Sequence, residues 1–109
     1  MTKTGRIKNL QDSLTKFAHD RNWEEYHTPK NLAMALSVEC SELLEIFQWM
    51  SPEQSLSPDT KTRSHIREEI GDIMIYLCMV GSVFEIDPVE AAFSKLKQNE
   101  SNPTSRKTS

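Results

Sequence analysis

Glycine is scarce in this 109-residue chain, at three residues, and cysteine scarcer still, at two. Aromatic side chains make up only 7%. So little glycine disfavours an all-β domain with many tight turns. Cys40 and Cys78 lack CxxC spacing and fall inside apolar helical stretches, which reads as two buried thiols in a reducing cytosol. Positive charge is not in excess either: 13 basic side chains face 16 acidic ones, for a formal net charge of −3. That balance excludes a protein built around non-specific binding of nucleic-acid polymer. No apolar run approaches the roughly 18 residues a membrane span needs. The stretch Met1 to Leu10 is charged and has no apolar centre, so it does not read as a secretory signal, and a cytoplasmic location is expected. A P-loop, G-x-G-x-x-G and G-x-S-x-G are all missing. With 37% hydrophobic and 27% charged residues, the chain fits a globular, helix-rich domain rather than a disordered one.

What is present is helical periodicity. Ile7, Leu10, Leu14, Phe17 and Ala18 recur at helical spacing over about Gly5 to Arg21. A polar loop with Trp23, Tyr26 and His27 follows, and Thr28-Pro29 reads as an N-cap and a first-turn proline. The second helix should run to about Met50, where Ser51-Pro52 stops it. A Ser/Pro-rich loop from Ser51 to Thr60 leads to a third helix, roughly Thr62 to Phe84. Asp87-Pro88-Val89-Glu90 opens a fourth through Ala92, Phe93 and Leu96. No segment alternates as a strand would. The expectation is one all-α domain over residues 1–99, a four-helix bundle with two long antiparallel helices, followed by a flexible tail at 100–109.

The acids on the two long helices carry the functional signal. Glu39 and Glu42 are three apart and share a face with Ala35, Ile46 and Trp49, while Lys30, Ser37, Ser41 and Gln48 lie opposite. Glu69 and Asp72 repeat the pattern on the third helix, flanked by His65, Tyr76, Val80 and Val83, with Arg67, Gly71 and Ser82 outward. Antiparallel packing would set the two pairs face to face. Four buried carboxylates must be paired with bases, protonated, or holding a cation. His65 is the one base on either face, so a hard divalent cation with oxygen ligands, most simply Mg²⁺, is the economical answer. The competing reading is four solvated acids on ordinary amphipathic helices. Di-iron chemistry would want Glu-x-x-His; the chain offers Glu-x-x-Glu and Glu-x-x-Asp, an all-oxygen set suited to Mg²⁺ or Mn²⁺. Glu45 and Glu68 lie nearer the edges of these faces, and either could supply a base.

Three runs then resemble a known family. Phe17-Ala-His-Asp-Arg21-Asn-Trp23-Glu-Glu-Tyr-His27-Thr-Pro29-Lys-Asn31-Leu, Glu39-Cys-Ser-Glu42-Leu-Leu-Glu-Ile-Phe-Gln-Trp49 and Glu68-Glu69-Ile-Gly-Asp72-Ile-Met-Ile-Tyr76-Leu are similar to the MazG-type nucleoside triphosphate pyrophosphohydrolases, above all the small single-domain branch that includes dCTP pyrophosphatases. The resemblance covers about residues 5 to 99. It implies an all-α homo-oligomer, dimer or tetramer, that cleaves nucleoside triphosphates to monophosphate and pyrophosphate. It also implies clearance of surplus or non-standard deoxynucleotides, with dCTP-like substrates favoured. By the same resemblance Glu39, Glu42, Glu69 and Asp72 are Mg²⁺ ligands and catalytic, with Mn²⁺ as a substitute. Trp23 and Trp49 line the base pocket, and His27, Asn31 and Tyr76 line the nucleotide site. Lys95 and Asn99 begin a Lys-x-x-x-Asn element that holds phosphates, but the Arg-Tyr-Pro that often follows is replaced here by Asn102-Pro103. Arg21, Lys30 or a second subunit would have to supply the outer phosphate contacts.

Each of these residues has a plainer reading beside it. The tryptophans could be core or interface aromatics, Tyr76 a packed ring, and His27 and His65 surface residues. Lys95 and Asn99 could be solvated. The different-class alternative for the whole chain is a non-catalytic helical interaction module with a structural cation. The long helices are apolar around most of their circumference, more than two short companions can cover, so self-association is expected under either reading.

Overall fold

The computed structural model describes residues 3–101, and all of its regular structure there is helical. Helices α1 (Lys3–Asp20), α2 (Pro29–Phe47), α3 (Pro52–Ser55), α4 (Thr60–Val83) and α5 (Pro88–Ser101) are joined by short connections, with one 3₁₀ turn at Glu24–Tyr26. No helix among the described residues is long and apolar enough to cross a membrane. The last helix continues two residues past the expected boundary at Asn99. The rest of the expected tail, 102–109, lies outside the described residues.

Local chemistry sets the helix starts. The Thr28 hydroxyl accepts from the Asn31 N–H at 3.2 Å with Pro29 in the first turn of α2. The Asp59 carboxylate accepts from the Thr62 N–H at 2.7 Å at the start of α4, a bond that holds its pKa below the ordinary value. Asp87 accepts from Val89 and Glu90 at the start of α5. One expectation needs correction here: Ser51-Pro52 does not only stop α2. Ser51 accepts from the Gln54 N–H while the Gln54 side chain accepts from the Ser51 N–H, a capping box that starts α3.

Two helix ends share one device. Trp23 N–H reaches Ala18 C=O (2.9 Å) and Asn22 N–H reaches His19 C=O (3.1 Å), with Asn22 left-handed at φ 56°. Ile86 N–H reaches Gly81 C=O (2.8 Å) and Glu85 N–H reaches Ser82 C=O (3.3 Å), with Glu85 at φ 55°. Both are Schellman motifs, with Asn in the first and an uncommon Glu in the second at a left-handed position that usually takes glycine. The Gln11 side-chain amide secures the second corner by donating to Cys78 C=O (3.2 Å) and Ile86 C=O (3.3 Å).

Helices α2 and α4 make the most extensive packing and run antiparallel. Leu32 shares a hollow with Met79 and Val83, Glu39 meets Glu69 and Asp72, and Met50 shares a hollow with Thr62 and His65. Helix α1 packs on α4 and α5. Among the described residues only Ala18, Leu32 and Cys78 are buried apolar side chains. The radius of gyration is 16.4 Å, against about 13 Å for a compact chain of this length. One sequence expectation fails on this thin packing: Cys40 is exposed, not buried. Trp49 is 89% exposed in the turn after α2. A single partner helix covers one side of α2 and leaves the rest open.

Candidate active site

The antiparallel pairing brings acids from both helices to one point. Ligand-capable oxygens of Glu39, Glu69 and Asp72 all lie within 4.8 Å of one another. Glu42 stands at hydrogen-bonding range of Glu39 and Glu69. Glu69 is 5% exposed, the one buried charged side chain among the described residues. Burial raises its carboxyl, helped by the Glu42 hydrogen bond and by the charges of Glu42, Glu39 and Asp72, to about 7. Glu39 is raised too, first by burial and then by the charges of Glu42 and Asp72. Glu39 Oε2 and Glu69 Oε2 are buried without a hydrogen-bond partner. Like charges held together, orphaned oxygens and an all-oxygen donor set fit a hard divalent cation, which would answer all three at once.

Two hollows flank the acids along the α2–α4 groove. One, of about 530 Å³, is lined by Glu42, Glu45, Ile46, Met50, Thr62 and His65. It opens directly onto the cluster through Glu42. The other, of about 210 Å³, is mostly apolar and lies between α1, α2 and α4, with Leu14, Ala18, His27, Leu32, Met79 and Val83 among its walls.

Trp23 owes its position to the cap of α1. As the residue after left-handed Asn22 it folds back on Phe17, ring to ring edge-on at 5.4 Å, which is the apolar contact that accompanies a Schellman motif. The Arg21 guanidinium lies 3.6 Å over the Phe17 ring and 5.9 Å from that of Trp23. His27 stands edge-on to Trp23 at 6.2 Å and also faces the apolar hollow. Asn31 donates its side-chain amide to Tyr26 C=O at 3.1 Å, tying the loop to α2. Tyr76 is half-buried one turn past Asp72. Lys95 donates to Gln98 Oε1 at 3.2 Å on exposed α5, whereas Asn99 Oδ1 is buried and without a partner. The structure thus gathers Glu39, Glu42, Glu69 and Asp72, and separately Trp23 with His27; Trp49 stands out in solvent. His65 is exposed near the start of α4, as expected of a surface residue, and with Thr62 it lines the larger hollow. Thr62, His65, Glu69 and Asp72 follow at three, four and three residues along one face of α4.

An all-α chain with acids converging from two antiparallel helices defines the class, and the comparisons agree. Residues 34–108 match the MazG-like family, and the chain belongs to it. Its relatives include dCTP pyrophosphatase 1 of Mus musculus, 39% identical over 96 residues, and that of Homo sapiens, 38% over 97. Each alignment covers 85% of this chain and 56% of the relative, so the chain spans little more than half the length of these proteins. The crystal structure of a pyrophosphatase from Archaeoglobus fulgidus superposes with a TM-score of 0.83 at 40% identity, over 93% of this chain and 94% of that one.

Proposed function

We propose that the protein is a Mg²⁺-dependent nucleoside triphosphate pyrophosphohydrolase, releasing monophosphate and pyrophosphate. The observation that carries this is the cluster of Glu39, Glu69 and Asp72 with its buried, unpartnered oxygens, in a chain of the MazG-like family. Glu39, Glu69 and Asp72 hold the cation, with Glu42 beside them and Mn²⁺ an acceptable substitute. Bound there, Mg²⁺ supplies charge neutralisation at the phosphates and an acidified water. Glu42, which touches the cluster and opens to the larger hollow, is the carboxylate we assign to accepting the proton of the water that attacks the α-phosphorus. Glu39 and Glu69 favour protons when the cation is away, so loading the site is coupled to their ionisation.

We assign the nucleoside end to the Trp23–His27 side. The apolar hollow accepts a flat ring, and the Phe17–Arg21–Trp23 stack fixes the Trp23 edge beside it. Asn31, Tyr76 and Trp49 belong to the same reading, as do Lys95 and Asn99 toward the phosphates, Asn99 supported by its unsatisfied carbonyl oxygen. The names of the dCTP pyrophosphatase relatives support deoxynucleotides such as dCTP as substrates. Self-association, as a dimer or tetramer, is supported by exposed Leu44 (64%), Leu56 (83%) and Trp49 (89%) on so thinly packed a chain.

The test is product analysis with a panel of deoxy- and ribonucleoside triphosphates, with Mg²⁺ and with chelator. Metal-dependent release of monophosphate plus pyrophosphate is the expected result, and it ranks the bases in the same experiment. Diphosphate plus orthophosphate would overturn attack at the α-phosphorus. No turnover on any substrate would leave the non-catalytic helical module in its place.

A further inference from the structure

We infer that His65 grips the outer phosphates of the substrate and the pyrophosphate that leaves; the inference rests on the pyrophosphohydrolase reading. His65 lines the larger hollow, which joins the acid cluster through Glu42. Along α4, His65 precedes Glu69 by one turn, a rise of about 6 Å. This offset matches a phosphate chain running outward from a cation held at Glu69. His65 makes no hydrogen bond or ion pair among the described residues, so its ring donors are uncommitted, whereas the Thr62 side chain is already hydrogen-bonded to the Asp59 carboxylate. The hollow's other polar walls are the carboxylates of Glu42 and Glu45, which alone would repel phosphate. His65 is the basic side chain that offsets them.

Four other basic side chains are placed elsewhere. Arg63 and Arg67 line a separate hollow with Pro58, Ser64 and Ile70, which shares no residue with the cluster. Lys95 is held by Gln98, and Arg21 is stacked on Phe17. Nor is the hollow a second metal centre: among the described residues the one group of acids, histidines and cysteines that converges within 4.8 Å is Glu39, Glu69 and Asp72.

Calorimetric titration of Mg²⁺–pyrophosphate into the wild-type protein, His65→Gln and His65→Arg tests this without turnover. His65→Gln should weaken pyrophosphate binding about tenfold, the loss of one hydrogen bond to a charged group, and His65→Arg should recover most of it. In turnover, KM should rise by the same factor with kcat little changed. Mn²⁺ binding in the absence of pyrophosphate should match wild type in both variants, which a merely structural role would not give. Pyrophosphate binding by His65→Gln within twofold of wild type overturns the inference, as does a wild-type protein that binds none. His65-dependent pyrophosphate binding in a protein that does not cleave triphosphates would instead sink the proposed reaction and leave this contact standing.

Discussion

Proton and cation compete for Glu69, and the competition can be put into numbers. Burial and the neighbouring acids raise this carboxyl to about 7, so it is about 90% ionised at pH 8 and about 10% at pH 6. A cation binds the ionised form, so apparent affinity should fall roughly tenfold between these pH values. Mn²⁺ titration followed by electron paramagnetic resonance reads it directly. Glu69→Gln should remove most of the pH dependence and weaken binding at pH 8 by about 100-fold, at least the upper end of what weaker perturbations of metal sites cost. Stability of the cation-free protein moves the other way. From the ordinary value of 4.5 up to about 7 the folded chain keeps a proton that the unfolded chain has lost, so this stability falls as pH rises through that window. Acidification from pH 8 to 6 should therefore raise the melting temperature without cation while lowering cation affinity. Equal affinity at both pH values, or Glu69→Gln binding as tightly as wild type, would refute the reasoning.

Three further outcomes concern the scaffold. A Cβ at Gly81 would stand 2.6 Å from Ile86 C=O, a backbone atom that cannot swing aside. Gly81→Ala should cost about 1–3 kcal/mol despite the gain in helix propensity, and a melting temperature at or above wild type would contradict the corner geometry. Glu85→Gly, at a left-handed residue, should stabilise by about 0.5–1 kcal/mol in denaturant titration, and a loss would show that the Glu85 side chain has another task. Leu44→Asp, at an exposed apolar position, should shift sedimentation toward monomer and remove any concentration dependence of melting, whereas an unchanged oligomer would place the interface elsewhere.

Much of this was readable from residue order. The 3.6-residue period located the four main helices, and the cost of burying charge singled out Glu39, Glu42, Glu69 and Asp72 before any coordinates. The failures have separate causes. Angular position says which residues share a face but not what covers it, so Cys40, expected inside, stands exposed on the single chain. Helix α3 escapes a reading of Ser51-Pro52 as a stop alone, because Gln54 completes the capping box three residues on. The seat of Trp23 was likewise legible in Asn22, a residue that tolerates the left-handed turn ending α1.

The acid cluster straddles two helices, Glu39 on α2 and Glu69 with Asp72 on α4. A slip of one helical turn between them would move these oxygens about 5.4 Å apart along the axis and dissolve the cluster. Whatever binds all three acids also pins the register of α2 against α4, and does so in a domain with few buried side chains to hold that register otherwise. Chemistry and architecture here share the same three carboxylates, so tuning the site for a new substrate would also retune how firmly the two long helices are indexed to each other.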